Sequence, residues 1–242
     1  MALHIGILAH SGEGAALCYR TAIHEGIRRM GAHNHPEITL TGVAMHEALP
    51  AWDRLDLSAL HAIFAADAAK LAAAGADFFV LPDNSAHRAL ETAGEPFAIP
   101  CLHIAEVVAE QAAIEGFGRV GILGSRWTME GPVYPRAFER RSIGWQIPDE
   151  ADRAIVHDII MDELCLGIFR DEARAEYQRI IRGLAEQGCD AVALVCTEIP
   201  LLIDADSSAL PILDSTRLLA GAAVEVALGN RPMPSWRGGP FG

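Results

Sequence analysis

Two short polar clusters in this chain each follow an apolar run, and each carries a side chain able to move a proton. The first is Pro82-Asp83-Asn84-Ser85-Ala86-His87, after Phe78-Phe79-Val80-Leu81. The second is Cys196-Thr197-Glu198-Ile199-Pro200, after Ala191-Val192-Ala193-Leu194-Val195. A carboxyl and a thiol are both acid/base groups, with ordinary pKa values of about 3.9 and 8.5. Read as buried parallel strands, the runs deliver Asp83 and Cys196 to carboxyl strand ends, where open α/β sheets bind ligands. A helix starting just beyond Cys196 puts the thiol in the field of unpaired backbone N–H groups, which favours thiolate. A buried structural cysteine is the alternative there, since free Cys is among the most buried residue types. Helix capping is the alternative for Asp83, Asn84, Ser85, Thr197 and Glu198.

The spacing ties the two clusters together. Asp83 and Cys196 lie 113 positions apart, and the same offset pairs Gly75 with Gly188, Asp77 with Asp190 and Leu81 with Leu194. Upstream, Ile5-Gly6-Ile7-Leu8 matches Val120-Gly121-Ile122-Leu123 at an offset of 115, and Tyr19 matches Tyr134. Downstream, Ile99-Pro100-Cys101-Leu102 matches Leu210-Pro211-Ile212-Leu213 at 111. Three segments in one order mark a tandem duplication of an α/β unit. Asp83 and Cys196 then occupy equivalent points of two halves.

The elements that must position them follow from the alternation of short apolar strands with helical stretches. Strands are expected near 3–9, 38–43, 97–103 and 119–124 besides the two central runs. Helices are expected at 15–30, 58–74, 85–93, 105–114, 149–166, 171–187 and 215–228. The fold class is α/β: two similar lobes of parallel sheet flanked by helices, a pseudo-twofold duplication with the active-site cleft between the lobes. The first lobe takes residues 1–104 plus 213–242, the C-terminal helix returning to it, and the second takes 105–212. The loop His10-Ser11-Gly12-Glu13-Gly14 is expected to line the pocket. It matches neither G-x-x-x-x-G-K-[ST] nor G-x-G-x-x-G, so it is not read as a phosphate cradle. The Pro- and Gly-rich tail from Arg231 is expected to be extended or mobile, with Trp236 and Phe241 available to a partner subunit.

Composition narrows the classes further. With 242 residues, 51% hydrophobic and 21% charged, the chain can bury a substantial core. A net charge of −13 argues against nucleic acid or an anionic membrane surface as partner, though not against a small anion held by a local site. Five cysteines without a C-x-x-C pair suit free thiols in a reducing compartment. No signal-like or membrane-spanning stretch is read, so a cytoplasmic location is expected. His33 and His35 crowd together before Pro36, a poor setting for ligands, and no metal site is expected.

The two motifs carry a resemblance. Pro-Asp-Asn-Ser-Ala-His at 82–87 resembles the pattern Pro-Cys-Asn-Thr-Ala-His of the aspartate/glutamate racemase family, and Val-Cys-Thr-Glu-Ile-Pro at 195–200 resembles its partner Gly-Cys-Thr-Glu-Ile-Pro. Pro-Ile-Leu-Asp-Ser-Thr at 211–216 and the Thr128–Tyr134 segment are similar too, so the resemblance spans essentially the whole chain. Asp-Glu-Leu-Cys-Leu-Gly-Ile-Phe at 162–169 resembles the branch acting on acidic amino acids. The resemblance implies a cofactor-independent, cytoplasmic amino-acid racemase that inverts the α-carbon of aspartate or glutamate. One group removes the α-proton while another donates to the opposite face. Asp83 and Cys196 take those catalytic roles. Ser11, Asn84, Ser85, Thr128 and Thr197 are then expected to bind the small carboxylate substrate, and His87 and Glu198 to orient the catalytic pair. A homodimer is also suggested by the resemblance.

One departure bears on mechanism. The family's first cysteine is Asp83 here, so a thiol pair has become a carboxylate–thiol pair. Starting from the acid-plus-thiolate state costs about 4.6 pK units, roughly 6 kcal/mol, unless the environment narrows the gap. Arg54 and Arg170 are candidates to offset the carboxylate's repulsion of an anionic substrate. Two alternatives therefore stand beside racemisation: a one-face reaction such as decarboxylation of a malonate or another isomerisation, and weak binding of a small acid.

Overall fold

In a computed structural model of the chain, residues 2–241 are described. Eight strands form two four-stranded, all-parallel sheets. The first holds β1 (Ile5–Leu8), β2 (Ile38–Thr41), β3 (Phe78–Val80) and β4 (Cys101–Leu102), in the order β2-β1-β3-β4. The second holds β5 (Arg119–Leu123), β6 (Gly144–Gln146), β7 (Ala191–Leu194) and β8 (Ile212–Asp214), in the order β6-β5-β7-β8. Helices α1 (Gly12–Met30), α2 (Leu49–Asp53), α3 (Leu57–Ala73), α4 (His87–Leu90) and α5 (Ile104–Glu115) accompany the first sheet in sequence. α6 (Arg126–Met129), α7 (Val133–Glu139), α8 (Glu150–Asp162), α9 (Asp171–Glu186) and α10 (Ser215–Ala227) accompany the second. The chain divides into two compact units, one of residues up to Ile104 together with those from Leu219, the other Ala105–Leu218. The chain changes unit inside α10, after Leu218, whereas the sequence placed that change after residue 212.

The duplication reappears contact by contact within each unit. Ile5 pairs with Phe78 in one sheet as Val120 pairs with Ala191 in the other. The Asp77 carboxylate accepts the His4 N–H at 2.7 Å, and the Asp190 carboxylate accepts the N–H groups of Gly118 and Arg119 at 2.7 and 3.1 Å. Each aspartate thus anchors the start of one central strand to its neighbour. Glycine stands at the matching position of both sheets, where a side chain would crowd the covering helix. A Cβ on Gly6 would lie 3.0 Å from Leu71 of α3, and one on Gly121 would lie 2.8 Å from Leu184 of α9. Those glycines let a helix settle close on the sheet, in the dense packing typical of interiors.

Helix ends follow their local chemistry. Ser11, Asp56, Ser125 and Asp149 accept backbone N–H groups at the starts of α1, α3, α6 and α8. The central strands are buried, β5 from Val120 onward and the other three along their whole length, as parallel strands covered on both faces must be. The helix expected at 85–93 shrinks to α4, and the one expected at 149–166 ends at Asp162 before a 3₁₀ turn over Leu164–Leu166. No helix among the described residues is long and apolar enough to cross a membrane.

The tail corrects an expectation. Its described part docks on its own first unit rather than standing free. Cys101 N–H donates to the Trp236 carbonyl at 2.8 Å, Phe97 N–H to the Arg237 carbonyl at 2.8 Å, and Gly239 N–H to the Leu90 carbonyl at 2.9 Å. The Trp236 and Phe241 rings pack on His103 with centroids 5.0 and 4.9 Å away. These bonds cover the outer side of β4, where a bare edge would leave ladder groups unpaired. Trp236→Ala is expected to lower the unfolding free energy by about 1–3 kcal/mol, read as a lower urea midpoint. An unchanged midpoint would show that the tail adds nothing to the unit.

Candidate active site

In the first unit, β1 and β3 are neighbours, so the loops that leave their carboxyl ends emerge side by side. His10 follows one strand and Asp83 the other. The Asp83 carboxylate is divided between two tasks. Its Oδ1 accepts the Ala86 N–H at 3.0 Å, which closes the turn leading to α4. Its Oδ2 lies 3.7 Å from Nε2 of the buried His10, which in turn accepts the Trp52 indole N–H at 3.1 Å. Phe64 of α3 meets the His10 ring edge-on at a centroid distance of 5.2 Å. The capping reading of Asp83 therefore describes its Oδ1.

His87 is fully buried and acts on the backbone of that loop. Its Nδ1 lies 2.9 Å from the Asp83 carbonyl oxygen, and its Nε2 accepts the Ile104 N–H at 3.3 Å. A carbonyl can only accept and an N–H can only donate, so the ring carries its proton on Nδ1. It bolts the Asp83 turn to the start of α5, a geometry suited to orienting Asp83. Asn84 is buried beside it and Ser85 partly buried, while Ser11 spends its hydroxyl oxygen on the Gly14 N–H at 3.3 Å.

In the second unit, Cys196 stands two residues beyond β7, the equivalent of β3. Its S–H donates to Glu198 Oε2 at 3.0 Å, and the Thr197 hydroxyl donates to the same oxygen at 3.1 Å. Glu198 is buried, and its Oε1 has no hydrogen-bond partner among the described residues. Burial and the adjacent Glu198 carboxylate hold the Cys196 thiol well above the usual cysteine range, with Cys165 adding to the effect. The expected pull toward thiolate is thus reversed. Only a three-residue 3₁₀ turn, Ile199–Leu201, follows the thiol, too short to supply an opposing field. Thr128 sits on α6, after the neighbouring strand β5, with its hydroxyl 3.2 Å from Ser125 Oγ. Ser215 donates to the Leu194 carbonyl at 2.8 Å, fixing the end of β7 against the start of α10.

Each unit therefore gathers its own set at one sheet edge: Ser11, Asp83, Asn84, Ser85 and His87 in the first, Thr128, Cys196, Thr197 and Glu198 in the second. Arg54 and Arg170 stand apart from them in role. Arg54 is exposed at the end of α2, and Arg170, also exposed, pairs with Glu163 at 3.1 Å. Sequence reasoning missed the partners of Asp83, His10 and Trp52. The adjacency of β1 and β3 could have found the first, because both strands end at the same edge. Trp52 lies in a segment without clear periodicity, and nothing in it points to His10. Among the described residues, no three His, Cys, Asp or Glu side chains gather as ligands for a metal ion.

Comparison with known proteins now decides the kinship. The profile of the Asp/Glu/hydantoin racemase family matches residues 13–223. The chain belongs to that family. Within it, the broad specificity amino-acid racemase RacX of Bacillus subtilis is 26% identical over 164 residues, covering 66% of this chain and 69% of the relative. A solved structure from Yersinia pestis, described as a candidate Asp/Glu racemase, is 32% identical and superposes with a TM-score of 0.81, covering 93% of this chain and 99% of the other. An aspartate racemase homologue from Pyrococcus horikoshii, 22% identical, shares the fold at a TM-score of 0.76, covering 94% and 100%. The two four-stranded parallel sheets flanked by helices are the α/β arrangement of these racemase-family structures.

The thiol geometry generates a measurable consequence. Glu198→Gln keeps the shape of the acceptor but removes its charge, so the Cys196 thiol should ionise at lower pH. A shift of one unit gives about tenfold more thiolate at any pH below the midpoint. Alkylation of Cys196 by iodoacetamide at pH 8, followed by mass spectrometry of its peptide, is expected to speed up about tenfold in the variant. Equal rates would mean that Glu198 does not restrain the thiol.

Proposed function

We propose that this protein is a cofactor-independent amino-acid racemase acting on an acidic amino acid, with Asp83 and Cys196 as its two acid/base groups. The carrying observation is that the duplicated units present, at equivalent strand ends, a carboxyl in one and a thiol hydrogen-bonded to Glu198 in the other. Family membership and the racemase names of its relatives support the reaction type. The glutamate racemase of Pseudomonas aeruginosa, 27% identical over 130 residues, supports an acidic substrate.

The chemistry runs as one proton off and one proton on. The Asp83 carboxylate takes the α-proton of one enantiomer, leaving its electron pair delocalised into the substrate carboxylate as a planar carbanion. The Cys196 S–H then donates its proton to the opposite face, giving the other enantiomer, a protonated Asp83 and a thiolate. Return of a proton to sulfur and loss of one from Asp83 restores the resting state. Hydroxyl and amide donors from Ser11, Asn84, Ser85, Thr128 and Thr197 would hold the substrate and stabilise its developing negative charge. His87 would hold the Asp83 turn, and Glu198 would keep the thiol proton in place between turnovers.

A second reading has an observation in its favour. A thiol restrained in its protonated form suits a donor that acts in one direction only, as in decarboxylation of a malonate. Exchange in heavy water separates the two. A racemase labels the α-carbon starting from either enantiomer, whereas a decarboxylase releases carbon dioxide and labels only its product.

Substitutions assign the faces. Cys196→Ala is expected to lower racemisation roughly 10²–10⁴-fold, the range typical of a lost acid/base group, with the fold retained. Asp83→Asn preserves the acceptor for the Ala86 N–H, so the turn survives while acid/base capacity is lost. Exchange is expected to stop on the Asp83 face and to persist, slowed, for the enantiomer that Cys196 deprotonates. An Asp83→Asn protein with wild-type exchange from both enantiomers would reduce this residue to a cap.

A further inference from the structure

The geometry points to Tyr134 and Ser215 as a positioning pair that holds the end of β7 and so sets where the Cys196 thiol stands against Glu198. The inference rests on the acid/base role given above to Cys196 and adds what keeps that thiol in place. The β7 ladder stops at Leu194, which pairs with Leu123 on one side and Asp214 on the other. Cys196 is the second residue beyond it. The place of the thiol therefore depends on how firmly the last strand residue is held.

The direction of each bond follows from what its partners can do. A carbonyl oxygen only accepts, so the Ser215 hydroxyl spends its proton on the Leu194 carbonyl, at 2.8 Å. The Tyr134 side chain is hydrogen-bonded to that of Ser215. With the serine proton directed at Leu194, the Tyr134 O–H is the donor of this second bond. Burial pushes the Tyr134 hydroxyl well above the usual tyrosine range, so it keeps the proton it donates. Tyr134, on α7, and Ser215, the first residue of α10, are both fully buried. The relay thus ties α7 and the start of α10 to the end of β7, in surroundings where successive hydrogen bonds strengthen one another. On the β5 side, the Val195 N–H donates to the Leu123 carbonyl at 2.7 Å.

The duplication separates this relay from the needs of the fold. An offset of 115 sets Tyr19 opposite Tyr134, yet Tyr19 is 37% exposed on α1. An offset of 111 sets Ile104, the first residue of α5, opposite Ser215, and isoleucine has no hydroxyl to offer. The first sheet reaches the equivalent strand order without the pair. There, His87 links the Asp83 carbonyl to the Ile104 N–H instead. The hydroxyl relay belongs to the unit that carries the thiol.

The test is read on the thiol, whose S–H donates to Glu198 Oε2 at 3.0 Å and on which Glu198 and Cys165 both bear. Tyr134→Phe keeps the ring and removes the donor, while Ser215→Ala removes the hydroxyl between Tyr134 and Leu194. In each variant, alkylation of Cys196 by iodoacetamide at pH 8 is expected to be about tenfold faster than in wild type, because the thiol slips from the carboxylate that restrains it. In a Glu198→Gln background the same substitutions should change the rate by less than about twofold, since that restraint is already gone. Loosening that merely exposed the sulfur would speed alkylation in both backgrounds. Racemisation is expected to lose about tenfold in kcat, with KM held within about twofold. Proton NMR of the wild type should show the Tyr134 hydroxyl as a slowly exchanging proton with a cross-peak to the Ser215 β-protons. Unchanged alkylation or kcat in the folded variants would overturn the inference, and so would equal acceleration in the two backgrounds. A missing cross-peak in wild type would overturn it whether or not either variant folds. Absence of α-proton exchange in wild type would instead overturn the racemase reading, since alkylation and the cross-peak do not depend on turnover.

Discussion

A parallel strand buried on both faces has nowhere to place a polar side chain except beyond its end. That constraint organises the whole chain. Phe78–Val80 and Ala191–Leu194 are fully buried, and chemistry begins within three residues of each. The covering helices can lie close because Gly6 and Gly121 leave room for Leu71 and Leu184. Asp77 and Asp190 hold the strand starts in step. Position at the far end is thus inherited from packing well below it.

The same scaffold produces two chemically different ends. Asp83 has an imidazole nitrogen and a backbone N–H among its neighbours. Around Cys196 the neighbour is a buried carboxylate that accepts the thiol proton. Duplication gives equivalence of place, and the local side chains then give each place its own protonation state. A thiol held above its usual range by a buried carboxylate sits opposite in kind to a carboxyl that caps a turn.

The parts of this arrangement that were legible in the sequence depend on short-range pattern or on repetition. The offset of 113 residues that pairs Asp77 with Asp190 pointed to two equivalent units, and the position of Asp83 after an apolar run anticipated its place at a strand end. Long helices such as α3 and α9 were readable from their periodicity, within a residue or so of their ends. What escaped depends on partners distant in sequence. The His10–Trp52 bond links residues 42 positions apart through a segment with no clear pattern. The state of Cys196 turned on whether a helix or a single 3₁₀ turn followed it, and Ile199-Pro200-Leu201 allows either. The tail escaped because its bonds are made by backbone groups, which its side chains do not advertise.

The docking of the C-terminal segment has a consequence for the order in which the protein is built. The second unit is one continuous stretch, Ala105–Leu218, whose contacts can all form once that stretch exists. The first unit closes only when residues beyond 219 return to it, Ala227 receiving the Leu3 N–H and Trp236 receiving that of Cys101. Contacts across such long loops form slowly, because the entropy of closure precedes any gain. The half that carries Asp83 is therefore completed after the other, and during synthesis the outer side of β4 waits for residues made after the whole second unit.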